Sequence, residues 1–112
     1  MTEQQIQQQI RLLGRGPVRL HRNNVGSLPD PRTGRLVTFG LAPGSADLIG
    51  WRSVTITPDM VGQHLAVFCA VEVKDRGRPT EQQVAFINLV QQAGGLAGVA
   101  RSVPEALSIL GL

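Results

Sequence analysis

The sequence is poor in the residues that build disulfides and soft-metal sites. It contains one cysteine, Cys69, and two histidines, His21 and His64. One cysteine excludes a disulfide framework, and this Cys/His set is too small for a zinc site, so any metal site must be built from oxygen ligands. No apolar run approaches the roughly 18 residues of a membrane span, and the Gln-rich start is unlike a signal peptide. We therefore expect a soluble, intracellular protein.

Acidic residues are scarce as well. Eight carboxylates stand against eleven basic residues, and ten of the eleven are arginine, so Lys74 is the only lysine. The formal charge of +3 is compatible with a polyanionic partner, because guanidinium pairs well with phosphate. A chain of 112 residues, 42% of them apolar, can build one core, and we predict a single domain over residues 1–112.

The hydrophobic pattern predicts a mixed α/β chain. The predicted elements, in chain order, are a helix over 3–13 that stops at Gly14, strands over 18–21 and 46–51, a strand over 65–74, a helix over 80–93, a strand over 96–100 and a C-terminal helix that starts near Pro104. Residues 54–56 either continue the second strand or pair with it. Thr80 and Gln83 match a capping box. Turn residues and little periodicity over 23–45 indicate a long surface loop.

The first helix carries a carboxylate at an unusual position. A capping box formed by Thr2 and Gln5 marks the start of this helix. At about 100° per residue, Glu3 lies within about 20° of Ile10, which predicts that Glu3 belongs to the buried stripe. The alternative is that Glu3 only complements the helix dipole in the first turn.

The longest apolar run, over 65–74, ends in a carboxylate and an ammonium. A run this apolar predicts a central strand that is covered on both faces. Its period of two places Glu72 and Lys74 on one face and Val73 on the other. Burying Glu72 is costly unless the carboxylate is paired or holds a metal. Lys74 is one such partner, and the two side chains would then form only a structural ion pair at the sheet edge.

Asp47 adds a second carboxylate, because it also stands at the start of a short apolar strand. A hairpin-like pairing would bring it beside Glu72. The two carboxylates and the backbone carbonyl of Val73 form a hard-oxygen set of the kind that holds Mg²⁺ together with substrate phosphate. The cation would acidify a bound water and neutralise charge on a scissile phosphate, while Lys74 would orient that water or stabilise the developing anion.

An Asp followed by Glu-x-Lys on the next long strand, with flanking helices, resembles the PD-(D/E)XK nuclease superfamily and, more narrowly, its VRR-NUC (virus-type replication-repair nuclease) family. The resemblance extends over nearly the whole chain. The segments that carry it, in the family's order, are Glu3, Arg22-Asn23-Asn24 with Gly26, Gly40-Leu41 with Gly44 to Gly50, Glu72-Val73-Lys74, Thr80 to Gln83 with Phe86, and Gly94-Gly95 to Ala100-Arg101-Ser102. The implied fold is the αβββαβ core of that superfamily, a mixed central sheet flanked by helices.

The resemblance also implies roles for single residues. Asp47 and Glu72 would be the metal ligands and Lys74 the catalytic lysine. Glu3 would be a helix carboxylate that reaches the site. Gln83 matches a glutamine that follows the lysine in the family, and this role competes with the capping box without excluding it.

The expected activity is Mg²⁺- or Mn²⁺-dependent hydrolysis of DNA phosphodiester bonds by an endonuclease. Small members of the family resemble Holliday-junction resolvases, which implies branched DNA, a homodimer and phage-type replication, recombination or repair in the cytoplasm of a bacterium or an infected host. An alternative is a nuclease-like subunit that binds DNA or a partner without cutting. The residues expected to contact DNA, mainly through phosphates and without reading sequence, are Arg22, Asn23, Asn24, Ser45, Arg76, Arg78 and Arg101.

Overall fold

A computed structural model describes residues 1–13 and 16–112, and the helix stop predicted at Gly14 lies outside them. The elements, in chain order, are α1 (Glu3–Leu13), β1 (Val18–Arg22), β2 (Gly26–Pro29), β3 (Leu36–Phe39), β4 (Leu48–Arg52), a short 3-10 helix (Pro58–Met60), β5 (Cys69–Val73), α2 (Glu81–Gln92), β6 (Leu96–Ala100) and α3 (Val103–Ile109). This composition confirms the mixed α/β class. The three predicted helices and the strand over 96–100 are confirmed.

The chain divides into two compact units, Met1–Arg52 and Ser53–Leu112, and each is described by itself. The described strands form three two-stranded sheets, β1–β4, β2–β3 and β5–β6, and not the one mixed central sheet that the sequence predicts. The single domain over residues 1–112 stays a prediction.

In the first unit, β1 and β4 are antiparallel, from Val18 opposite Arg52 to Arg22 opposite Leu48. Their backbones approach closely at Gly50, where a Cβ would overlap the carbonyl oxygen of Arg19. The strand predicted over 46–51 is therefore present, but it starts two residues later than predicted.

The region over 23–45 is not the long loop that the sequence predicts, because β2 and β3 form an antiparallel hairpin within it. Asp30 N donates to Arg35 O at 2.7 Å, and Asp30 Oδ1 accepts from Arg32 N at 2.9 Å. These bonds are typical of an Asx turn, so the turn residues close a hairpin here. All four β3 residues are exposed, which explains why no alternation marks this strand in the sequence.

The prediction that Glu3 belongs to a buried stripe of α1 is wrong. Glu3 is exposed, and Ile6 and Ile10 are 42% and 38% exposed. The half-buried positions of α1 include Gln7 and Arg11 instead. Within its unit α1 packs against β1, and this contact leaves Ile6 and Ile10 exposed.

In the second unit, β5 and β6 are parallel, and α2 connects them. A capping box confirms the predicted start of α2: Thr80 Oγ1 accepts from Gln83 N at 3.1 Å, and Gln83 Oε1 accepts from Thr80 N at 2.8 Å. Both α2 and α3 pack against β6. The buried apolar residues are Ile87, Val90, Ala97 and Ala100. Because parallel strands end at the same edge, the residues that follow β5 and β6 are neighbours.

Of the apolar run over 65–74, only Cys69–Val73 forms a strand. β5 pairs with β6 among the described residues, and Leu65 and Val67 are 52% and 51% exposed, so the prediction of a central strand covered on both faces is wrong. β5 pairs with all five residues of β6, from Cys69 opposite Leu96 to Val73 opposite Ala100. The described residues 54–56 form no strand either.

Candidate active site

The end of β5 brings a carboxylate and an ammonium together. Lys74 Nζ lies 3.6 Å from Glu72 Oε1, and the two side chains are 22% and 32% exposed. They share one face of the strand, as the period of two predicts, whereas Val73 is 74% exposed. This distance is longer than the usual distance in a hydrogen bond between charged groups, which is about 2.7–2.9 Å. This ion pair is therefore loose and contributes little to stability.

Gln83 contacts the same carboxylate from α2. Its Nε2 donates to Glu72 Oε1 at 3.0 Å, while its Oε1 accepts from Thr80 N in the capping box. The two ends of one amide therefore serve two purposes, because the carbonyl oxygen caps the helix and the amino group orients Glu72. The capping box and the contact with the site, which the sequence presented as competitors, coexist.

The turn after β5 carries two of the arginines that the sequence assigns to DNA contacts. Arg76 and Arg78 are exposed on either side of Gly77. Arg101, which follows β6, donates from Nη2 to Gly77 O at 2.7 Å. The three arginines thus lie at one edge of the β5–β6 sheet. The hydrogen bond from Arg101 also fixes the turn at this edge, and the sequence did not indicate this contact. The DNA contacts of the three arginines stay a prediction.

In the first unit, Asp47 lies in an exposed bend directly before β4. Its backbone oxygen accepts from Asn23 N at 2.8 Å, and its side-chain Oδ2 accepts from Gln7 Nε2 at 3.1 Å. Sequence reasoning missed Gln7. The available signal was helical spacing, because Gln7 follows Glu3 by four residues and so lies on the same side of α1.

Two predicted DNA-contact residues, Asn23 and Ser45, hold the loop that leads into β4. Asn23 Nδ2 donates to Ser45 Oγ at 2.7 Å and to Ala46 O at 2.8 Å, and Asn23 Oδ1 accepts from Leu41 N at 2.9 Å. Ser45 Oγ also donates to Ala42 O at 2.6 Å. Both side chains are half-buried, so these polar atoms are engaged within the protein.

The predicted site residues fall in both units. Among the described strands, β4 pairs with β1 and β5 pairs with β6, so the sheets contain no β4–β5 hairpin, and the shared site of Asp47 and Glu72 stays a prediction. Within neither unit do the described residues gather three or more His, Cys, Asp or Glu side chains that could hold a metal. The predicted ligands are the carboxylates of Asp47 and Glu72 and the backbone carbonyl of Val73. Mg²⁺ prefers oxygen ligands of this kind, so their chemistry fits that ion.

Comparison with known families decides the kind of protein. The family model of the VRR-NUC domain matches residues 1–104 of the 112. The chain belongs to the VRR-NUC family. A VRR-NUC domain is a nuclease-type domain, which implies a hydrolase that acts on DNA. No curated protein and no solved structure matches the chain.

The VRR-NUC match extends through both units and contains every predicted site residue, from Glu3 to Arg101. The family resemblance drawn from the sequence is thereby confirmed. In the part of this VRR-NUC chain that the structure describes, no helix is long and apolar enough to cross a membrane.

Proposed function

We propose that this VRR-NUC protein is a metal-dependent DNA endonuclease that hydrolyses phosphodiester bonds. The observation that carries the proposal is the cluster of Glu72, Lys74 and Gln83 at the end of β5, in a chain of this family. A strand that ends in Glu-x-Lys, followed by a helix and a parallel strand, also supports the assignment to the PD-(D/E)XK superfamily and its αβββαβ core.

The residues proposed to hold the metal are Asp47, Glu72 and, through its backbone carbonyl, Val73. A bound Mg²⁺ or Mn²⁺ would supply charge neutralisation at the phosphate and a more acidic water. Lys74 places a positive charge beside this set, where its ammonium would orient the attacking water or stabilise the developing anion. Glu3 stays a candidate helix carboxylate, and the family resemblance is now its only support.

Exposed basic and polar side chains support the proposed contacts with DNA phosphates. Arg22 and Asn24 are exposed at the end of β1, and Arg76 and Arg78 are exposed beyond β5. Such contacts position DNA and carry no sequence information. The family resemblance is the support for branched DNA such as Holliday junctions, for a homodimer, and for phage-type replication, recombination or repair in the cytoplasm.

The test is a cleavage assay in which matched variants report on the two carboxylates. Purified protein with Mg²⁺ or Mn²⁺ is incubated with labelled four-way junctions, flaps, splayed duplexes and linear duplex. We expect cleavage of the branched substrates, and we expect Asp47→Asn and Glu72→Gln to abolish it while DNA binding survives. Asp30→Asn in the first unit and Glu81→Gln at the start of α2 are exposed or half-exposed controls that keep wild-type rates.

The assay also separates the alternative function. In the alternative, the chain is a nuclease-like subunit that binds DNA or a partner without cutting, and the 3.6 Å pair of Glu72 and Lys74 is only an ion pair. Wild-type protein that binds branched DNA but cuts nothing with either metal would establish that alternative. Wild-type rates in either carboxylate variant would refute the assigned ligands.

A further inference from the structure

We propose that Gln7 is a positioning residue for Asp47. Its amide would hold Asp47 Oδ2 and so leave Oδ1 for the metal, a role that rests on the proposed function. The contact is direct, since Gln7 Nε2 donates to Asp47 Oδ2 at 3.1 Å. Glu3, the helix residue that the family resemblance favours, lies one turn earlier and is exposed.

Both partners of this contact are fixed by other bonds in their unit. α1 begins with a capping box, in which Thr2 Oγ1 accepts from Gln5 N at 3.1 Å and Gln5 Oε1 accepts from Thr2 N at 2.9 Å. The backbone of Asp47 is held by its bond from Asn23 N. Gln7 is half-buried, whereas the other glutamines of α1, Gln4, Gln5, Gln8 and Gln9, are exposed. The side chain of Gln7 is therefore the half-buried one among these glutamines, and it is held by its bond to Asp47.

An amide is chemically suited to this role. It donates a hydrogen bond to a carboxylate and carries no charge, so Asp47 keeps the full negative charge that attracts a cation. A lysine or arginine at the same place would compete with the cation for that charge. Groups that donate a hydrogen bond to a metal-ligating carboxylate fix its orientation. Substituting such a group commonly lowers metal affinity or activity by about 10- to 100-fold.

The second unit contains the same arrangement independently. Gln83 on α2 donates from Nε2 to Glu72 Oε1 at 3.0 Å, as Gln7 on α1 does to Asp47. Each carboxylate assigned to the metal thus meets the neutral amide of a helical glutamine. This recurrence favours a common role in orienting ligands over an incidental surface contact.

The experiment compares Gln7→Ala with Gln8→Ala, which makes the same change one residue further along the same helix. Mn²⁺ binding is measured by electron paramagnetic resonance without DNA, and cleavage rates are measured across a Mn²⁺ titration. We expect Gln7→Ala to bind Mn²⁺ about tenfold more weakly. Excess Mn²⁺ should restore the wild-type maximal rate, since a misplaced ligand raises the metal concentration needed. Gln8→Ala should match the wild type in both measurements.

A folding defect would not imitate this result. Alanine and methionine are both good helix formers, so neither change should destabilise α1. Gln7→Met keeps the length of the side chain without the donor and should reproduce the Gln7→Ala result. If both variants bind Mn²⁺ within twofold of the wild-type affinity, the role of Gln7 is overturned, while the proposed metal site is not. Wild-type protein that binds no Mn²⁺ overturns the proposed metal site as well, so the two failures are distinguishable.

Discussion

Asp47 and Glu72 each accept a hydrogen bond from a helical glutamine, yet the two units hold these carboxylates by different means. Glu72 lies within β5, opposite Val99 of β6, so the backbone ladder of a parallel pair fixes it. Asp47 lies outside any strand, in the bend before β4. Its backbone oxygen accepts from Asn23 N, and the loop that leads to it is held by the Asn23 side chain.

This difference affects how easily a substitution can displace each carboxylate. A ladder is made by backbone groups that every residue carries, so no single side-chain substitution removes it. The loop before Asp47 loses three hydrogen bonds when the Asn23 side chain is removed, while the backbone bond from Asn23 N to Asp47 O remains. We therefore expect substitutions away from the carboxylates to disturb Asp47 more readily than Glu72.

Among substitutions away from the two carboxylates, the largest effect is expected at Lys74, whose ammonium lies 3.6 Å from Glu72 Oε1. Lys74→Met should lower the single-turnover cleavage rate by about 10²- to 10³-fold, the usual loss of one group that stabilises transition-state charge. This corresponds to about 3–4 kcal/mol. DNA binding, followed by fluorescence anisotropy with Ca²⁺ in place of Mg²⁺, should persist. Arg32→Met, at the exposed β2–β3 turn, removes the same charge elsewhere and should cut normally.

Either of two results would contradict this assignment. An unchanged rate in Lys74→Met would reduce the pair to a structural ion pair at the sheet edge. A lost rate that follows lost DNA affinity would make Lys74 a phosphate contact.

The next effect is expected at Asn23, whose side chain makes three hydrogen bonds to the loop before β4. At about 1 kcal/mol net for each bond, Asn23→Ala should reduce the free energy of unfolding by about 2–3 kcal/mol. Urea denaturation of the metal-free protein measures this change. The control, Asn24→Ala, alters the exposed neighbour and should stay within about 0.5 kcal/mol. Equal losses in the two variants would show that this network does not hold the loop.

The sequence predicted best what local signals determine. The capping box of Thr80 and Gln83 and the Gly94-Gly95 pair bracket α2, and the strand after them was predicted residue for residue. The predictions from sequence failed where strands pair with segments that are distant along the chain. Nothing in the run over 65–74 indicates that only Cys69–Val73 pairs with β6. The β2–β3 hairpin escaped notice for a related reason, because exposed strands lack alternation.

The same limit applies to the site. Glu72 and Lys74 were found because two residues on one strand share a face, which spacing alone determines. Helical spacing places Gln7 on the side of α1 that carries Glu3, but its contact with Asp47 joins residues 40 positions apart, which no periodicity predicts. The resemblance to the VRR-NUC family supplied the residue types of the site, whereas the glutamine partner in α1 needed the structure.

The smallest effect is expected at the capping box of α2, where two variants separate helix capping from the contact with Glu72. Thr80→Ala and Gln83→Ala each remove one half of the box, and each should cost about 1 kcal/mol of stability. Only Gln83→Ala also removes the donor to Glu72, so cleavage at limiting Mn²⁺ should fall about tenfold in that variant and stay normal in Thr80→Ala. Thr2→Ala, in the capping box of α1, is the matching control in the first unit. Equal cleavage by the Thr80 and Gln83 variants would restrict Gln83 to helix capping, and the likeness between the two carboxylates would then extend no further than hydrogen-bond geometry.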